Sequence, residues 1–118
     1  MTTKRKNNYY NRKPTKEMLK NATIAVILDG LHQGGAIDAG DTEYIKTVKT
    51  RLLAIYEFAD IGLLPVEAKE KACASYDFET KKIKFEIYPE KITTAADLDR
   101  ILTDATASIV NFMRIVQQ

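Results

Sequence analysis

Residues 72–87 read Ala72-Cys73-Ala74-Ser75-Tyr76-Asp77-Phe78-Glu79-Thr80-Lys81-Lys82-Ile83-Lys84-Phe85-Glu86-Ile87. This stretch decides the fold, because here the apolar period changes from helical to alternating. Ala72, Ala74, Tyr76 and Phe78 fall on one face and Cys73, Ser75 and Asp77 on the other. Past a loop at Glu79–Lys82, Ile83, Phe85 and Ile87 alternate with Lys84 and Glu86. That loop would set Phe78 opposite Ile83, Tyr76 opposite Phe85 and Ala74 opposite Ile87. All the apolar side chains then share one face, the consistency that a strand register requires. The loop has no Asn-Gly, so a type I turn is expected. A lone hairpin is marginal in water, so this one must rest on helices.

The flanking segments supply them. A first helix is expected from Thr15, a capping residue, to His32, with Met18, Leu19, Ala22, Ala25, Val26, Leu28 and Leu31 as its apolar face. The β-branched run Thr23-Ile24-Ala25-Val26-Ile27 within it also fits a buried strand ending at Asp29-Gly30. Length favours the helix. Gly34 and Gly35 end it. A second helix is capped by Asp41 or Thr42, and Ile45, Val48, Leu52, Ile55 and Ala59 form one stripe along it. Leu53, Tyr56 and Ile61 widen the stripe, Gly62 stops the helix and Pro65 confirms the stop. Residues 65–71 suggest a short extra helix of one or two turns. A last helix starts at Thr94, with Asp97 placed to complete a capping box. It carries Leu98, Leu102, Ala105, Ile109, Phe112 and Val116 on one stripe. The expected fold is therefore α+β, with three main helices on one face of a two-stranded antiparallel hairpin in the order α-α-β-β-α. The extra apolar width of the second and last helices leaves surface for a partner or a second copy.

Composition bounds the class. The 118 residues fit one domain, and 45% hydrophobic with 29% charged residues is the balance of an ordinary globular protein. No apolar run approaches the roughly 18 residues of a membrane span, and the basic N-terminus has no apolar core of a secretory signal behind it. Cys73 is the single cysteine and cannot form an internal disulfide, which leaves the cytoplasm, of a cell or of an infected host, as the expected compartment.

Charge divides the chain. Residues 1–20 carry seven basic side chains and one acidic, 7 − 1 = +6, and residues 21–118 carry 11 − 15 = −4. A basic arm over residues 1–14 is thus joined to a mildly acidic domain over 15–118, a pattern of interaction tails. The arm reads Lys4-Arg5-Lys6-Asn7-Asn8-Tyr9-Tyr10-Asn11-Arg12-Lys13 before Pro14. Lys4, Arg5, Lys6, Arg12 and Lys13 suit phosphates or acidic groups, and Tyr9 and Tyr10 offer faces on which bases or guanidinium groups stack. Solvated tails are usually short of aromatics, so two adjacent tyrosines favour a contact role.

Catalytic and cofactor readings fail on chemistry. Gly35-Ala36-Ile37-Asp38-Ala39-Gly40-Asp41-Thr42 has the spacing of a phosphate-binding loop, but Asp41 stands where lysine must neutralise phosphate. Asp38, Asp41 and Glu43 lack the order and length of a calcium loop and suit a helix N-terminus. His32, the only histidine, fits a helix C-terminus, and one Cys with one His cannot make a structural zinc site. Cys73 is most simply a small apolar side chain. The expectation is a non-enzymatic interaction or assembly protein with no cofactor or metal. Its arm (Lys4, Arg5, Lys6, Tyr9, Tyr10, Arg12, Lys13) would contact a neighbouring subunit or protein partner, as in a component of a viral or other large particle. The alternatives are a nucleic-acid-binding accessory protein that uses the arm, a small acidic-bodied inhibitor of a host or bacterial enzyme, and, last, an enzyme that uses Cys73.

Overall fold

A computed structural model describes residues 15–117. In chain order the elements are α1 (Lys16–Gly34), α2 (Thr42–Tyr56), β1 (Asp60–Leu63), β2 (Ala72–Asp77), β3 (Lys82–Ile87), a 3-10 turn (Pro89–Lys91) and α3 (Ala95–Val116). The sheet has three strands in the order β1-β3-β2, with β1 parallel and β2 antiparallel to β3. The expected two-stranded hairpin is therefore corrected to a three-stranded mixed sheet with β3 at its centre.

The missed strand lies in what read as the tail of the second helix. Ala59 and Ile61 continue the helical stripe, yet α2 ends at Tyr56 and the chain turns, with the Phe58 and Ala59 amides donating to the Ile55 carbonyl at 3.0 Å. Four residues are too few to display alternation, and their partner is far away in sequence, Ile61 lying beside Phe85 and Leu63 beside Ile87. Tertiary pairing overrides the local pattern. The short helix expected over 65–71 is also absent from the structure, and the only turn there is closed by the Ala68 amide on the Pro65 carbonyl. This segment instead straps across the exit of β3. The Leu64 amide donates to the Ile87 carbonyl, the Tyr88 amide to the Lys71 carbonyl and Lys91 Nζ to the Ala68 carbonyl.

The hairpin register differs from the expected one by two residues. Tyr76 faces Ile83, Ala74 faces Phe85 and Ala72 faces Ile87. The cause is Asp77, whose carboxylate accepts from the amides of Glu79 at 2.9 Å and Thr80 at 3.3 Å and so starts the turn one residue before Phe78. Lys81 closes it in the left-handed region (φ 59°). The two amide donors hold the Asp77 carboxyl below the usual carboxylate range. Phe78 leaves the strand and stands 73% exposed, edge-on to the Tyr76 ring.

The helices cover the Phe85 side of the sheet. Ile61, Ile83, Phe85 and Ile87 join Ile24, Ile27, Leu31, Val48, Leu52, Ile92, Leu98, Leu102 and Ile109 in one core. Cys73, Ser75, Lys82 and Lys84 face outward on the other side. Residues 22–28 are helical. Thr15 caps α1 by accepting from the Met18 amide, Asp41 caps α2 through Tyr44, and Thr94 caps α3 through Asp97, each at 3.1 Å. The reciprocal half of the box at Thr94 is not made, because the Asp97 carboxylate turns to Lys71 and Arg100.

The two glycines expected to end α1 do different work. Gly35 takes the left-handed conformation (φ 96°) and its amide reaches the Leu31 and His32 carbonyls. Gly34 lets the helix approach residues 90–92, since a Cβ there would sit 2.7 Å from the carbonyl oxygens of Glu90 and Ile92. Gly30, one turn earlier, sits equally close to the Pro89 ring.

Candidate interaction surfaces

The seven arm residues singled out in the sequence, Lys4, Arg5, Lys6, Tyr9, Tyr10, Arg12 and Lys13, lie outside the described residues. Three surfaces on the body are candidates for contact.

The first is the outer face of α1. Its core-facing residues are Ile24, Ile27, Gly30 and Leu31. Most of the apolar face expected from the sequence points the other way. Met18, Leu19 and Val26 are 53%, 52% and 50% exposed, with Ala22 and Ala25 between them. The helix is apolar on both sides, so periodicity alone could not choose the buried one.

The second lies between α2 and α3, which run parallel. Near their N-termini the pair is tied by polar groups. The Tyr44 hydroxyl reaches Asp99 Oδ1 at 3.1 Å, and Arg51 holds Asp99 at 3.3 Å and Thr103 Oγ1 at 3.1 Å. Burial, reinforced by the Asp99 carboxylate, pushes the Tyr44 hydroxyl up to about 12, so it stays protonated and donates. Toward the C-termini the polar ties give way to an apolar groove of about 300 Å³, lined by Ala54, Ile55, Phe58, Ile109, Val110 and Met113. Phe58, just past the end of α2, is 57% exposed at its rim. Phe58 belongs to none of the apolar stripes that the sequence displays. Its departure from the stripe of Ile55 and Ala59 was the available signal.

The third is the margin of the sheet at β2. Ala72 and Ala74 are too small to fill the space between the strand and α3, and a groove of about 350 Å³ runs there, bordered by Lys71, Arg100, Asp104 and Ser108. Asp97 sits at one end between two cations, with Lys71 Nζ at 2.7 Å and an Arg100 nitrogen at 2.5 Å. Hydrogen bonds from Lys71 and then Arg100 hold its carboxyl below the usual range. Arg100 also approaches Asp104 at 3.5 Å.

No family model, curated protein or solved structure matches this chain. Among the described residues, no three His, Cys, Asp or Glu side chains gather as a metal site, and no helix is long and apolar enough to cross a membrane. His32 lies in the last turn of α1 and Cys73 is exposed on β2. Asp38 and Asp41 serve the backbone. Asp38 accepts from the Gly40 amide at 3.2 Å and Asp41 caps α2, with Ala36 and Ile37 buried between the helices. Together these surfaces present exposed apolar side chains, an edge strand and paired charges.

Proposed function

We propose that this chain is a non-enzymatic interaction or assembly protein of the cytoplasm or of a particle formed there, viral or otherwise. Its acidic body and its basic arm would engage protein neighbours. The observation that supports this most is the apolar outer face of α1. Soluble monomers rarely leave a contiguous apolar patch uncovered without a use for it, and Met18, Leu19 and Val26 stand about half exposed along one side of the helix that follows the arm. A neighbour seated on that face would lie beside the point where the +6 segment joins the body, within reach of its lysines, arginines and tyrosines.

Deleting residues 1–13 tests the arm. The buried core is drawn from Ile24 through Ile109, so the thermal transition should persist while capture of the protein partner, or the oligomer measured by light scattering, is lost. Unfolding on deletion would make the arm structural and defeat the division. The arm's charge and paired tyrosines also support a second reading, nucleic-acid binding. Under it, the captured material would be sensitive to nuclease and to salt. Replacing Tyr9 and Tyr10 by Ala with the charges kept separates stacking from electrostatics, and unchanged affinity would remove the tyrosines from the mechanism.

A further inference from the structure

The two margins of the sheet are not alike. β1 is four residues long, contains Gly62 and runs out at Leu64-Pro65. β2 is six residues long and pairs with β3 in unbroken register. It has no proline, no bulge and no charged residue between Lys71 and Asp77. Sheet edges normally carry such devices because an open row of amides and carbonyls templates another strand.

The direction of the open groups follows from one hydrogen bond. The Tyr88 amide donates to the Lys71 carbonyl, so Lys71 turns its backbone groups toward β3. In an antiparallel ladder this alternates. Cys73, Ser75 and Asp77 therefore also face β3, and Ala72, Ala74 and Tyr76 present their N–H and C=O groups outward.

We infer that β2 pairs antiparallel with β2 of a second copy of this chain, about a two-fold axis at Ala74, to make a continuous sheet across two bodies. The occupant is indicated by the strand's complementarity to itself. With Ala74 on the axis, Lys71 lies opposite Asp77 of the second copy, so each end of the new ladder sets a basic residue against an acidic one rather than like charges together, while Lys71 keeps Asp97 and Asp77 keeps its turn amides. Ala72 lies opposite Tyr76, the smallest side chain beside the largest, at the mouth of the groove that Ala72 and Ala74 leave against α3. All three outward residues find a partner in this register, and Cys73 comes opposite Ser75 on the open face. The pairing is isologous, as a closed dimer requires. It extends the assembly reading by naming one partner, and it can fail without that reading failing.

Ala74→Pro tests it in the full chain. Its N–H points away from β3, so proline removes an outward donor and leaves the internal ladder intact. The wild type should sediment at twice the chain mass and Ala74→Pro at the single mass, with the same circular dichroism spectrum. A wild type that stays monomeric at concentrations on the order of 100 µM, within the range of weak association, overturns the inference, as does a dimer indifferent to the proline. Should Ala74→Pro not fold, Ser75→Cys decides. Directly opposed residues that do not exchange ladder bonds lie close enough for a disulfide. Oxidised glutathione should therefore join Cys73 to the thiol that Ser75→Cys places on the second copy, and give a covalent dimer on a non-reducing gel. Absence of that band overturns the register. A monomeric body whose arm still captures its partner would refute the edge pairing and leave the assembly reading standing.

Discussion

On the β1 side of the molecule, a short strand packs beneath α1 and α2, and α1 is drawn onto residues 89–92 through Gly30 and Gly34 until its backbone meets theirs. On the β2 side, a longer strand with alanines facing inward stands off from α3 across a groove, and charges at Lys71, Asp97, Arg100 and Asp104 finish the margin. The first arrangement sets backbone against backbone with no room for a side chain between them. The second leaves backbone groups and volume in reserve. Close backbone packing marks one flank, and outward-facing strand groups mark the other.

Substitutions can break that contrast. The largest effect is expected from Leu31→Ala on the closed flank. Leu31 is fully buried on α1, and such truncations cost about 2–5 kcal/mol, which corresponds to a fall in Tm of roughly 8 °C or more for a domain of this size. A calorimetric scan checks it, and an unchanged Tm would show that α1 is not part of the cooperative core. Gly34→Ala comes next. The added methyl meets backbone oxygens that have no rotamer to yield, a form of overpacking that costs about 1–3 kcal/mol. Alanine's better helix propensity offsets up to about 1 kcal/mol of this. A net loss of stability in urea is expected, and a gain would refute the close approach.

The smallest effect belongs to the open flank, at Asp97→Asn. The wild-type carboxyl titrates below its ordinary range, so its contribution is present above the unfolded-state pKa of about 4 and is lost as pH falls through the lower folded value. Asp97→Asn should be slightly less stable than wild type at neutral pH, and the two melting curves should converge in acid below about pH 4. A difference that persists there would mean that the aspartate acts by something other than its charge.

Caps and strand faces were legible in the sequence, while partners far apart along the chain were not. Thr15, Asp41 and Thr94 are where local capping chemistry puts them, because a cap needs only its next three residues. The alternation that puts Ala72, Ala74, Tyr76, Ile83, Phe85 and Ile87 on one face also held. The offset of their register came from the Asp77 side chain outcompeting Phe78 for the start of the turn. β1 was hidden because Asp60-Ile61-Gly62-Leu63 becomes a strand only in the presence of Phe85 and Ile87. The outward face of α1 was hidden because both sides of that helix are apolar, and its packing on α2, β1 and the 3-10 turn selects Ile24 and Ile27 over Met18 and Val26. Candidate contact surfaces are a remainder of that same selection, visible once the core has taken its share.

The strand order has a consequence for how the protein comes into being. β3 is the last of the three strands to be synthesised and the one that touches both others. While a ribosome is still adding residues 78–87, β1 and β2 exist without their central strand, and α1 awaits a seat that residues 89–92 have yet to supply. The sheet therefore cannot form strand by strand in step with synthesis. Both outer strands wait for β3, and its arrival supplies the partner of each.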